Sequence, residues 1–153
     1  LTMYGHKMFN LGAFQTNVSQ SGSANVSQSV TFEVTDISKG VSITSGSRLT
    51  YDNAGTYSTT FSAQCDNTDN NAESIYLWLK KNGSNVAESA TKLVIPKDQA
   101  QVMTVNFLNE LNAGDYLEVA WQSTNANTFL RAENATGNIP AIPSVIITST
   151  QVR

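Results

Sequence analysis

The sequence predicts an all-β fold of two antiparallel sheets packed face to face, and three observations carry that expectation. Short runs of alternating apolar and polar residues recur along nearly the whole chain, Asn-, Gly-, Asp- and Ser-rich breaks separate them, and no stretch has convincing helical spacing. A five-residue phrase also occurs twice, as Asn53-Ala54-Gly55-Thr56-Tyr57 and Asn112-Ala113-Gly114-Asp115-Tyr116, each time ahead of an alternating run. Asn and Gly reach positive φ at little cost, so each copy is expected to be a tight turn that launches a strand.

Asn17 to Ser29 is polar and repeats Asn-Val-Ser-Gln-Ser at Asn17 and Asn25, which reads as a loop or weak edge strand. Three short β-rich runs follow, Val30 to Val34, Gly40 to Ile43 and Arg48 to Tyr51. The clearest strand is Thr56 to Cys65. It places Tyr57, Thr59, Phe61, Ala63 and Cys65 on a core face, with Ser58, Thr60, Ser62 and Gln64 opposite. After a polar loop, Asp66 to Glu73, comes Ile75 to Lys80, apolar on both faces because Tyr76 and Trp78 oppose Ile75, Leu77 and Leu79. Asn82-Gly83 signals a two-residue hairpin that returns Val86 onto the Trp78 strand. Lys92 to Ile95 ends at Pro96, Val102 to Leu108 and Tyr116 to Gln122 flank the second Asn-Ala-Gly phrase, and Pro143 to Val152 reads as a well-buried last strand. About ten strands in this arrangement make a double-sheet antiparallel jelly roll.

The chain has 153 residues, enough for one domain with a sizeable core. Residues 1–29 are expected to form an N-terminal strand and polar loop, the candidate anchoring segment, and residues 30–153 the jelly-roll core. Only 14% of residues are charged, and Asn, Gln, Ser and Thr together outnumber them by more than two to one. The surface is therefore polar but mostly neutral. A net charge of −3 and scattered Lys and Arg offer no footprint for nucleic acid. No apolar run approaches the ~18 residues of a membrane-spanning helix, so membrane insertion is not expected. Cys65 is the single cysteine, and its place in a strand pattern reads as a small buried hydrophobe.

Gly55-x-Tyr57-x-x-x-Phe61, then Trp78-Leu79-Lys80-Lys81-Asn82-Gly83, then Leu111-x-Ala113-Gly114-Asp115-Tyr116-Leu117 resemble, in order and spacing, the signature of jelly rolls typified by complement globular heads and tumour necrosis factor. Phe61-Ser62-Ala63-Gln64, the Asn112 to Trp121 segment and Pro143 to Ile147 are further similar to small jelly-roll proteins of phage and other viral particles. The likeness runs from about Tyr4 to Val152. It implies a TNF-like homotrimer; because a strand apolar on both faces needs a second covered surface, Tyr76 and Trp78, with Tyr116, are the interface candidates, and Tyr4, His6, Phe9 and Phe14 are candidates for anchoring to a capsid.

Catalytic chemistry finds no constellation in the sequence. His6 is the only histidine, without a Gly-x-Ser-x-Gly elbow or a His-x-x-x-His pair, and reads as a surface or interface residue. Asp115 and Glu118 could be paired on paper as glycosidase carboxylates, but Asp115 follows Gly114 in a turn and turn chemistry accounts for it. Asp66, Asp69 and Glu73 stand in one oxygen-rich loop that could hold calcium, although the loop lacks the spacing of an EF-hand and its Asn and Asp are ordinary turn formers. No cofactor is expected.

The sequence thus leads to a non-enzymatic virion structural protein, a trimeric decoration or cement protein on the capsid exterior, with itself and the major capsid protein or another virion protein as partners. The alternative is a fibre knob or other module that binds a host-surface glycan through loops such as Asp66 to Glu73 or Ser123 to Asn127.

Overall fold

Residues 9–153 are described by the structure, a computed structural model. Their thirteen strands are β1 (Leu11–Thr16), β2 (Gln28–Ser29), β3 (Val34–Lys39), β4 (Val41–Thr44), β5 (Arg48–Tyr51), β6 (Gly55–Asn67), β7 (Glu73–Lys81), β8 (Ser84–Asn85), β9 (Thr91–Ile95), β10 (Gln99–Leu111), β11 (Tyr116–Ser123), β12 (Thr128–Leu130) and β13 (Val145–Gln151). There is no helix among the described residues. The first sheet runs β10-β6-β13-β1-β3, with β12 also on β6. The second runs β4-β5-β11-β7-β8, with β2 on β11 and β9 on β7. All pairings are antiparallel, and the fold is the expected jelly-roll sandwich.

Alternation along β6 positions the core. Tyr57, Thr59, Phe61, Ala63 and Cys65 are all buried, as their spacing requires, and all but Thr59 join Leu117, Val119 and Trp121 of β11 and Ile75, Leu77 and Leu79 of β7 in one hydrophobic cluster. A small hydroxyl network sits inside it. Tyr51 Oη lies 2.8 Å from Ser149 Oγ, which lies 2.8 Å from Thr59 Oγ1, so these buried polar groups satisfy one another. Burial raises the Tyr51 phenol above its ordinary value.

The hairpin between β7 and β8 forms as the sequence requires, with Asn82 at φ 49° and Gly83 at φ 85°, the two left-handed positions of a type I′ turn. The two Asn-Ala-Gly phrases, by contrast, do different work. Gly114 has φ 88° and a Cβ there would meet nothing, so backbone conformation demands glycine. Gly55 has no positive φ; a Cβ on it would stand 2.6 Å from Gln151 Nε2 and 2.7 Å from the Arg153 carbonyl oxygen, so close packing of the C-terminal strand demands it.

Two expectations are corrected, and a third gains its place in the fold. Val30 to Val34 is not one strand: the Val30 N–H donates to Val119 O and the Phe32 N–H to Gly46 O, so the segment crosses between partners, and the regular strand begins at Val34. Pro143 to Val152 is buried on one face only, since Ile146 is 43% exposed. The expected N-terminal strand and polar loop are both present, and the strand is built into the first sheet. β1 is an interior strand, paired with β13 from Leu11↔Thr150 to Thr16↔Val145 and with β3 on its other edge, and Phe14 is fully buried.

Candidate functional site

The outer face of the second sheet carries a groove. Its floor comes from the alternation of β7 and β11, which points Tyr76, Trp78 and Gln122 away from the core, with Tyr76 opposite Gln122 and Trp78 opposite Ala120. One wall is the β8–β9 connection. There the Val86 N–H donates to Leu79 O at 2.9 Å, and Ser89 Oγ accepts from the Leu79 N–H at 3.0 Å and donates to Val86 O at 2.8 Å. The other wall is the Asn25 loop, tied down where the Asn25 N–H donates to Ser123 O at 2.8 Å. Thr124 closes one end through mutual bonds with Ser74. The groove is open to solvent and has a volume of about 480 Å³.

Of the three interface candidates, Tyr76 and Trp78 come together in this groove, half-buried by their own chain. The indole N–H of Trp78 donates to Asn85 Oδ1 at 2.9 Å, which fixes the ring, and the Lys92 ammonium stands 5.6 Å from the Tyr76 ring centre. Tyr116 is elsewhere. It lies four residues before Ala120 on β11, roughly 13 Å away at about 3.3 Å per residue, under the Arg48 guanidinium at 4.4 Å. Between them Glu118 is buried and accepts hydrogen bonds from Ser29 and Ser47 at 3.1 and 2.7 Å.

Asp115 belongs to the turn. Its carboxylate accepts from the Asn112 N–H at 2.8 Å and from Asn82 Nδ2 at 2.9 Å, with Lys81 Nζ at 3.5 Å, and the Asn112 bond is the main reason the carboxyl is held below its ordinary value. The acidic loop is likewise explained by turn and packing contacts. Asp66 pairs with Arg131 at 2.5 Å, Asp69 accepts from the Asn71 N–H, and Glu73 accepts from the Thr124 hydroxyl. The three carboxylates of the calcium candidate therefore face three different partners, and among the described residues no cluster of three acidic, His or Cys side chains is placed to hold a metal ion. The hub of this loop is Asn67, fully buried, whose amide reaches Asn71 O, Ile95 O and Thr128 Oγ1. The glycan-loop candidates, residues 66–73 and 123–127, do adjoin, because the Thr68 N–H donates to Asn127 O.

Tyr4 and His6 lie outside the described residues. Phe9 is 41% exposed and keeps its place as an anchoring candidate, whereas Phe14 is core and cannot reach a partner. Cys65 is buried and its thiol is pushed up to about 12 by desolvation, so it is protonated at neutral pH and unsuited to nucleophilic chemistry.

The sequence reading missed a second surface, the outer face of the first sheet. Between Asp66 at one end and Glu110 at the other, the outward positions of β10, β6, β13 and β1 hold no charge at all. Ser58, Thr60, Ser62 and Gln64 lie beside Leu108 (66% exposed) and Val102 (57%) on one flank and Ile146 on the other. The signal was present as alternate positions without a single Lys, Arg, Asp or Glu. It went unread because hydroxyl residues look like ordinary solvent-facing positions.

The fold is a jelly roll, and its likeness to solved structures is to complement heads and tumour necrosis factors. Among solved structures it is similar to the globular domain of the zebrafish complement 1qA protein, with a TM-score of 0.58 and 15% identity over 94% of this chain and 98% of that one. It is also similar to the Eiger TNF of S. frugiperda, with a TM-score of 0.62 and 13% identity over 96% and 94% of the two chains. No family model and no curated protein matches the sequence. At these identities the likeness shows the fold.

Proposed function

We propose that this chain is a non-enzymatic structural protein on the exterior of a virus particle, a homotrimer that decorates the capsid and stabilises its shell. The charge-free outer face of the first sheet carries the reading. Interface cores are depleted of charge, and a broad sheet face exposing Val102, Leu108 and Ile146 among hydroxyls gains from being covered by a second copy. Head-to-tail contact around a closed threefold axis covers it without leaving an open filament. The assembled trimer would then favour the shell by mass action, binding the assembled lattice and not its separated parts. Phe9 and the residues before it are the remaining candidates for the capsid contact.

Light scattering of the purified chain should give three times its 16.5 kDa chain mass, and the trimer should co-sediment with shells stripped of decoration. A monomer that ignores such shells would sink the proposal. The groove on the opposite sheet favours a second reading, a fibre knob that recognises a host glycan. A signal on a glycan array together with no attachment to shells would select it.

A further inference from the structure

The groove on the second sheet is furnished with more polar chemistry than the fold consumes. The side chains of Asn25, Gln122 and Glu88 and the hydroxyl of Tyr76 line it and make no hydrogen bond to any other described residue. Its aromatic floor is rigid, since Trp78 is pinned by Asn85. Of the two wall residues at positive φ, Asn25 at 60° adopts that conformation at little cost, whereas Glu88 at 61° is a residue type that seldom does. The volume, about 480 Å³, lies within the range of about 300–1,000 Å³ typical of small-molecule sites.

We infer that this groove binds a neutral carbohydrate, one pyranose ring at the end or within an oligosaccharide. A sugar hydroxyl is donor and acceptor at once, and the free amides of Asn25 and Gln122 offer both functions, while the Glu88 carboxylate can accept from two neighbouring hydroxyls. The C–H face of a pyranose is apolar and matches the Tyr76 and Trp78 rings. Other ligand classes fit worse. An anion would meet the Glu88 carboxylate, and the cation next to the groove, Lys92, stands over the Tyr76 ring, 5.6 Å from its centre, and is not among the lining residues. A purely apolar ligand would strip water from several polar groups and return no hydrogen bonds. A metal ion would find one carboxylate.

The inference deepens the glycan-binding reading by naming its site, and it moves recognition away from residues 66–73 and 123–127, except where Thr124 borders the groove. The test uses the full chain. Saturation-transfer NMR against a panel of neutral and anionic glycans should show transfer to neutral ones, from ring C–H protons foremost. Gln122→Ala, and Asn25→Gly, which keeps the positive φ, should each weaken binding roughly five- to tenfold, the loss of about one hydrogen bond, with thermal midpoint and oligomeric mass unchanged. Binding of neutral glycans that survives both substitutions overturns the site while leaving the glycan reading standing. Transfer to no neutral glycan overturns both, as does binding of anionic glycans alone. A change of oligomeric mass in either variant would make the groove a subunit contact and also overturn the site.

Discussion

The outer faces of the two sheets are built from different residues, and the difference bears on what each can do. That of the first sheet, over its four central strands, is hydroxyls and aliphatics without charge between Asp66 and Glu110. That of the second collects Tyr76, Trp78, Tyr116, Arg48, Lys80 and Lys92, folds a groove into itself and sets Arg48 over Tyr116 and Lys92 over Tyr76. A surface free of charge loses little when covered, because no ion must be desolvated. One with fixed aromatics and free amides suits selective recognition. Apolarity of both strand faces had pointed to Tyr76 and Trp78 as the contact, yet their own chain already half-covers them.

The largest expected effect tests whether β1 is separable from the first sheet. A chain lacking residues 1–15 should show no cooperative unfolding transition in urea, because β13 and β3 lose their shared partner and the site of Phe14 empties; a folded truncation would restore the N-terminal segment as a detachable anchor. Next, Ile146→Lys should convert the proposed trimer to a monomer by light scattering while leaving the fold intact, since the residue is exposed in the single chain. Retention of the trimer would move the contact off this face. Trp78→Ala should cost about 2–3 kcal/mol in chemical denaturation, as a half-buried ring with one hydrogen bond, and leave the oligomeric mass unchanged. If the mass falls instead, the two faces exchange roles. Arg48→Ala should cost only about 0.5–1 kcal/mol, the worth of a partly exposed cation over Tyr116.

Acid supplies a finer probe of the second sheet's edge. The Asp115 carboxyl titrates below its ordinary value in the folded chain, first through the Asn112 N–H and then through Asn82. Its contribution is therefore fully present above about pH 4, where the unfolded carboxyl is ionised, and is lost as pH falls through the lower folded value. Between pH 6 and pH 3 the urea midpoint should drop further for the parent chain than for Asp115→Asn. Equal drops would show that the turn does not depend on this charge.

Local chemistry was legible wherever one residue settles one conformation. Asn82-Gly83 gave the hairpin, Arg48 to Tyr51 the whole of β5, and period-two alternation the buried face of β6. Illegible were the features that depend on distant partners. The two Asn-Ala-Gly phrases look alike, but only contact with Gln151 and Arg153 makes Gly55 a packing glycine. β1 looks like an appendage until β13, nearly the full length of the chain away, pairs with it. In the groove, Tyr76 and Trp78 could be singled out for their aromaticity, and Asn85 follows from the hairpin. Asn25 could not be found, since its approach rests on a backbone bond to Ser123 across the fold.

The pairing of β1 with β13 also has a mechanical side. Asn10 and Gln151 are joined by three hydrogen bonds, the Gln151 N–H to Asn10 O and the Asn10 N–H and Nδ2 to Gln151 Oε1, so the chain enters the sheet beside the point where it leaves. Hydrogen bonds of an antiparallel pair run perpendicular to the strands. A force pulling these two points apart would load that ladder one rung at a time, from Leu11 and Thr150 inward, and open it like a zipper instead of shearing it all at once. The domain should therefore yield at low force when stretched between its ends, and hold far better when tension reaches it through one end and a sheet face.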